Sequence, residues 1–127
     1  MNHYDLFTSH QYLNLETFRR NSLGVQTPVW FVQDGNSIFV RTLANSGKVK
    51  RIRNNKQVNI APCKVDGKLL GAWYPCHAQE IPDPDTDKKV DHLLYRKYGV
   101  IKKLFALSAR LQDRQYTVLK LDLLEQT

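Results

Sequence analysis

Hydrophobic and polar positions change period several times along the chain, and these changes divide it into short elements. Tyr12, Leu13, Leu15 and Phe18 suggest a strand, closed by the turn formers Asn21, Ser22 and Gly24. Val25 to Gln33 (VQTPVWFVQ) is rich in β-branched and aromatic residues, Asp34-Gly35-Asn36 is a hairpin signal, and Ile38 to Leu43 returns. Pro28 has no N–H to give a ladder, so it predicts a bulge or an edge that faces a ligand. Ala44 to Gly47 breaks the pattern and opens a short helix over Lys48 to Asn54. Gln57 to Val65 reads as a strand, Asp66-Gly67-Lys68 as a second hairpin turn, and Leu69 to Ile81 as a long strand.

Beyond Ile81 the period lengthens. Asp83 is placed to cap a helix whose first residue is Pro84. Val90, Leu93, Leu94, Tyr98, Ile101, Leu104, Phe105, Ser108 and Leu111 then recur at helical spacing, and Gly99 divides the stretch into two helices. Thr117, Leu119, Leu121 and Leu123 alternate with Val118, Lys120 and Asp122 as a last strand. A short helical turn is expected around Asp5 to His10. With no repeat, linker or low-complexity tract, residues 1–127 form one domain. Six strands joined mainly by hairpins, with helices inserted, predict a mainly β fold: an antiparallel sheet curled into a small barrel.

Composition sharpens this picture. The 42% of apolar residues in 127 can fill one core, while a net charge of +7 is a field that favours anionic partners. Cys63 and Cys76 form no C-x-x-C pair and are expected to be free thiols, with no metal site. The N-terminus lacks the features of a signal peptide, and no apolar run approaches the roughly 20 residues that span a bilayer. A cytoplasmic protein, at most peripheral to a membrane, is the expectation.

The candidate chemistry lies in VRTLANSGKVKRIRNNK, Val40 to Lys56. A strand ends at Arg41 and Thr42, a loop of small polar residues follows, and a helix begins at Lys48. Helix N-termini expose unpaired N–H groups, so Ser46 and Gly47 can lay donors against an anion, with Arg41 and Lys48 adding charge and Thr42 and Ser46 hydroxyls. These are the parts of a phosphate cradle. A solvated basic helix is the other reading of the same run.

TPVWF (Thr27 to Phe31), VRT (Val40 to Thr42) and SGKVKRIRNN (Ser46 to Asn55), followed by LLGAWYP (Leu69 to Pro75) and LLYRKYGVIKKLFAL (Leu93 to Leu107), resemble the pyridoxamine-phosphate-oxidase-like flavin-binding split barrels. The likeness is greatest to their deazaflavin-dependent oxidoreductase branch. It implies a homodimer of six-stranded split barrels of the FMN-binding type, with a cofactor, FMN or the deazaflavin coenzyme F-420, at each subunit interface. It also implies that Arg41, Thr42, Ser46, Gly47 and Lys48 hold the cofactor phosphate, with Arg51 one turn further on. Thr27, Val29 and Trp30 would lie along the ring, and Trp73 would reach it from the partner or else pack in the dimer core. True pyridoxamine phosphate oxidases end in an Arg-Leu-x-Pro segment; Leu121 to Thr127 contain none, so vitamin B6 phosphate is not the expected substrate.

No nucleophile–base pair or carboxylate dyad is evident, and His3, His10, His77 and His92 are scattered. That suits an enzyme whose hydride chemistry belongs to a cofactor. The leading expectation is therefore an oxidoreductase acting on an unidentified small molecule. A non-catalytic carrier of flavin, deazaflavin or haem is the alternative. A nucleic-acid module gripping phosphates and stacking bases on Trp30, Phe31, Trp73 and Tyr74 is the third. No Asp or Glu occurs between Asn45 and Val65, so Lys50, Arg53 and Lys56 are expected to lack acidic partners. With Lys102 and Lys103 they would line the path of a polyanionic deazaflavin tail.

Overall fold

The computed structural model describes residues 7, 9–99 and 115–124. Its elements run β1 (Tyr12–Phe18), β2 (Gly24–Val29), β3 (Val32–Asp34), β4 (Ser37–Leu43), α1 (Gly47–Asn54), β5 (Gln57–Cys63), β6 (Tyr74–Ile81), α2 (Pro84–Tyr98) and β7 (Tyr116–Leu123). The expected turn around Asp5 to His10 falls largely outside the described residues, as does the expected helix after Gly99. All neighbouring strands are antiparallel, in the order β2-β1-β5-β6-β7-β4-β3. The architecture is the expected one, a mostly β, curled, open barrel with two helices.

The strand count differs by one, and the reason is physical. Val25 to Gln33 is not one strand but two, broken at Trp30-Phe31. Its first half pairs with β1 on one edge of the sheet and its second half with β4 on the other. A single straight strand cannot bond to both edges, so the chain bends where it crosses between them. Among the described residues β2 has no strand partner beyond β1, and Val40–Leu43 of β4 none beyond β7. A seam therefore runs between β2 and the end of β4, pinned shut at residues 30–31. Pro28 lies on this open edge, as its missing N–H requires.

Alternation fills the interior. Leu13, Leu15, Ile38, Val40, Val58, Ile60, Cys76, Ala78, Leu119 and Leu121 form the barrel core with Phe7 and Phe31. α1 adds Val49 and Ile52 to this core while touching β1 and β6, so it plugs one mouth of the barrel. α2 instead lies outside, over β3, β4 and β7, where Val90, Leu94 and Tyr98 pack on Val32, Phe39 and Val118. Asp83 caps it, its carboxylate accepting from the Asp85 N–H, Pro84 occupies the first turn, and Gly99 ends it at φ 61°, as the sequence predicts.

The last turn of α2 clasps the strand break. Phe31 leaves the ladder, and its N–H donates to the Tyr98 hydroxyl at 3.0 Å while its carbonyl accepts from Lys97 Nζ at 2.9 Å. The Tyr98 hydroxyl lies 2.8 Å from the Gln11 carbonyl, to which it donates, and its ring stacks on Trp30 at 4.2 Å and 8°. The long strand expected over Leu69 to Ile81 is shortened to β6. Residues 64–73 instead fold across the outside of the sheet, where Asn14 Nδ2 donates to the Gly67 carbonyl and the Leu70 N–H to Pro62.

Candidate functional site

The SGK stretch forms the start of α1. Ser46 is its N-cap in extended conformation, yet its hydroxyl makes no capping bond, and Ser46 Oγ is buried with no hydrogen-bond partner among the described residues. No acidic residue occupies the first turn. The helix therefore begins with exposed donors and positive partial charge that no acid of its own first turn offsets.

Arg51, one turn on, folds back over this terminus. A Cβ added at Gly47 would lie 2.7 Å from Arg51 Nη1, so only glycine leaves the guanidinium room there. The same guanidinium is fixed by Nε, which donates to Thr17 Oγ1 at 2.6 Å. Thr17 is fully buried on the inner face of β1. Arg19 follows just past the end of β1, exposed, and its charge is, after desolvation, the second cause that lowers the Arg51 pKa. The Lys48 ammonium is likewise pushed down, first by burial and then by the Arg51 charge. None of Arg19, Lys48 and Arg51 has an ion-pair partner among the described residues. Three cations thus share one barrel mouth with an orphan hydroxyl and a bare helix terminus.

The register extends this cluster into the seam. Thr17 stands opposite Val25, and Leu15 and Leu13 stand opposite Thr27 and Val29, so Val25, Thr27 and Val29 share the inner face of one lip. From Val25 to Val29 is about 13 Å of strand. Trp30 ends this lip, held by its stack on Tyr98. On the other lip, Thr42 faces inward and is buried opposite Thr117. The structure therefore gathers Ser46, Gly47, Lys48 and Arg51 at one end of the seam, with Thr27 and Val29 along it and Thr42 at the end of the opposite strand.

Arg41 goes elsewhere. It alternates with Thr42, faces α2, and its Nε donates to Asp87 Oδ1 at 2.9 Å. Its Nη1 lies 3.5 Å from Asp91 Oδ1, and its guanidinium sits 4.6 Å from the centre of the Tyr116 ring. Trp73, half-buried, lies in the connection before β6, away from strand pairing. One expectation needs correction: Arg53 is not without an acid. It makes a two-pronged pair with Glu80 of β6, at 3.0 and 2.9 Å, and this holds the Glu80 carboxyl below its ordinary range. Sheet pairing brings Glu80 to α1 from well outside the acid-free run. Lys102 and Lys103 lie outside the described residues.

Two contributors were missed from the sequence. Arg19 and Thr17 carry no local motif; only the closing of β1 against α1 reveals them. Elsewhere, a cleft of about 330 Å³ beside the start of α2 is lined by Glu80, Asp83, Asp87, Tyr116, Thr117 and Val118. Its acids are already engaged by Arg53, by the helix cap and by Arg41. Both cysteines are unpaired and buried, and burial pushes the Cys76 thiol up to about 12. Among the described residues no group of three potential metal ligands occurs, and no helix is long and apolar enough to cross a membrane.

No protein-family model matches the chain, and no curated protein does. Solved structures do. HutZ, the heme storage protein of Vibrio cholerae, superposes with a TM-score of 0.72 at 15% identity, over 97% of this chain and 88% of that one. A provisionally assigned pyridoxamine 5'-phosphate oxidase of Listeria innocua gives 0.68 at 11% identity, over 96% and 90%. An F-420 reductase gives 0.64 at 16% identity, over 98% and 96%. At such identities the likeness is one of fold, a split barrel with helices.

Proposed function

We propose that this chain binds a phosphate-bearing flavin-type cofactor, FMN or the deazaflavin coenzyme F-420, and serves as an oxidoreductase for a small molecule. The observation that carries the reading is the trio Arg19, Lys48 and Arg51, gathered without an acid at the start of α1. Like charges held together destabilise a fold unless an anion offsets them. The orphan Ser46 hydroxyl and the glycine that admits Arg51 suit the same ligand. When bound, the cofactor would supply the hydride chemistry. Lys48 and Arg51 would hold its phosphate with the Ser46 hydroxyl and the α1 N–H groups, and Thr42 would close the far side. The strand from Thr27 to Val29 would guide a ribityl chain toward the ring, and Trp30, fixed by Tyr98, would bound the ring's end.

The proposal includes a homodimer in which Trp73 of one subunit approaches the ring held by the other. It also takes the protein to be cytoplasmic. The absorption spectrum of the purified chain, before and after titration with FMN and with F-420, is the direct test. A bound flavin or deazaflavin band and oxidation of the reduced cofactor by an added acceptor are expected; absence of binding by either cofactor would sink the reading. Sedimentation at micromolar concentration should show a dimer.

A carrier without turnover is the second reading. The titratable groups gathered at the seam are all cations, with no acid–base pair, and the fold is shared with the heme storage protein HutZ. A haem band in place of a flavin band, or bound cofactor that no acceptor oxidises, would favour it. Nucleic-acid binding has less behind it: Phe31 is fully buried and Trp30 is covered by Tyr98.

A further inference from the structure

Of the cations that the sequence assigns to the anion cradle, Arg41 alone is ion-paired. Asp87 and Asp91 stand one turn apart on α2 and address one guanidinium together, with the Tyr116 ring beneath it. The arrangement is not a sealed core pair. The side chain of Arg41 is 22% exposed, and those of Asp87 and Asp91 are 37% and 44% exposed. Exchange of partners there costs far less than in a buried ion pair.

Position makes such an exchange geometrically available. β3 begins at Val32, opposite Phe39, so from Val40 onward β4 has an edge facing the seam that no described strand covers. Arg41 lies on that open stretch, about 7 Å of strand from its end. There the Ser46 N–H donates to the Leu43 carbonyl and turns the chain back into α1. A guanidinium at this place can face α2 or reach around the edge toward the start of α1, and the structure shows the first state.

We propose that Asp87 and Asp91 withhold Arg41 from the anion site at Ser46–Lys48, so that α2 competes with the bound anion for one guanidinium. The proposal rests on that site being an anion cradle. Its consequence is reciprocal: an anion that captures Arg41 releases the first turns of α2, and any change that releases Arg41 tightens the anion by the same factor. The seam would then report its occupancy on the outer face of the barrel.

The probe is inorganic phosphate, titrated against the full chain by thermal shift, so that the outcome does not depend on flavin binding. Asp87→Asn with Asp91→Asn should lower the half-saturating phosphate concentration about tenfold, the equivalent of about 1.4 kcal/mol. Adding Arg41→Gln should remove that gain, and Asp85→Asn, on the same helix without an Arg41 contact, should give none. If the double variant does not fold, Asp91→Asn alone should shift the midpoint in the same direction by about threefold. Phosphate should also speed amide exchange over residues 84–91 of the wild type. An unchanged midpoint, a gain that survives Arg41→Gln, no phosphate response in either chain, or unchanged exchange in α2 would each overturn the proposal. The flavin reading stands or falls separately, on the FMN and F-420 spectra.

Discussion

The two helices close the same barrel by opposite means. α1 inserts Val49 and Ile52 and carries Lys48 and Arg51, with Arg19 near by, and these meet no acid among the described residues. α2 is laced down by ion pairs: Lys89 with Asp34, and Arg41 with Asp87 and Asp91. It also stacks Tyr98 on Trp30 and satisfies the Phe31 backbone. Paired charges and filled hydrogen bonds mark the part of the molecule that holds the fold. Gathered like charges and a hydroxyl without a partner among the described residues mark the part proposed to bind a ligand. Mutations in the two regions should therefore fail differently, one set in binding and the other in stability.

The largest effect is expected at the mouth. Replacing both Lys48 and Arg51 with alanine removes two charge-assisted bonds, each worth about 1.5–3 kcal/mol. Affinity for FMN or F-420 should fall about a hundredfold or more, with the chain still folded. Fluorescence titration checks this, and affinity within threefold of the wild type would erase the contrast between the helices.

Tyr98→Phe is the converse. It strips a hydroxyl from the Phe31 N–H and the Gln11 carbonyl, leaving a buried donor unpaired at a cost of about 1–3 kcal/mol. Denaturant unfolding should show that loss. If stability is unchanged, the clasp does not hold the strand break.

How much of this contrast the sequence discloses depends on the range of the contacts. The barrel, the capped start of α2, its stop at Gly99 and the helix after Ser46 are all legible because their signals are local: alternation, an Asp-Pro start, a positive-φ glycine. The break at Trp30-Phe31 is not, because VQTPVWFVQ has strand character throughout and only closure of the sheet forces the bend. The same limit applies to charge. A run without acids looks uncompensated, yet Glu80 reaches Arg53 across the fold, and Arg41 finds Asp87 on a helix 46 residues away in sequence. Arg19 entered the site by the same kind of contact.

Lys97 sharpens the comparison through pH. It belongs to the scaffold, yet its ammonium lies 3.4 Å from the centre of the Phe31 ring, and burial pushes its pKa down to about 8. Between pH 8 and about 10.5 the unfolded chain keeps a proton that the folded chain has shed, so this group adds stability as pH rises through that window. Cys76, pushed up to about 12, and Tyr98, also pushed up by burial, act in the opposite sense at alkaline pH. The difference between wild type and Lys97→Met isolates the lysine. The variant should melt higher at pH 7, with the gap narrowing as pH approaches 10; a gap that is constant with pH would mean the ammonium is not desolvated in solution.

The smallest expected effect is also the most discriminating, because one methyl group should move binding and stability in opposite directions. Gly47 opens α1 with Arg51 folded over it, and a Cβ there would stand 2.7 Å from Nη1 but no closer than 3.5 Å from the next guanidinium atom. The obstructed atom is the tip of a flexible side chain, so the backbone need not shift; the guanidinium must. In a helix, alanine is favoured over glycine by up to about 1 kcal/mol, chiefly because the unfolded chain has less freedom to lose. Gly47→Ala should therefore raise the melting temperature slightly. It should also weaken FMN about threefold by swinging Arg51 off the helix terminus, and Arg51→Ala in the same background should add less loss than it does alone, since the two changes remove one interaction. If Gly47→Ala binds FMN as tightly as the wild type, Arg51 does not act from above that terminus, and Lys48 and Arg19 would carry the phosphate without it.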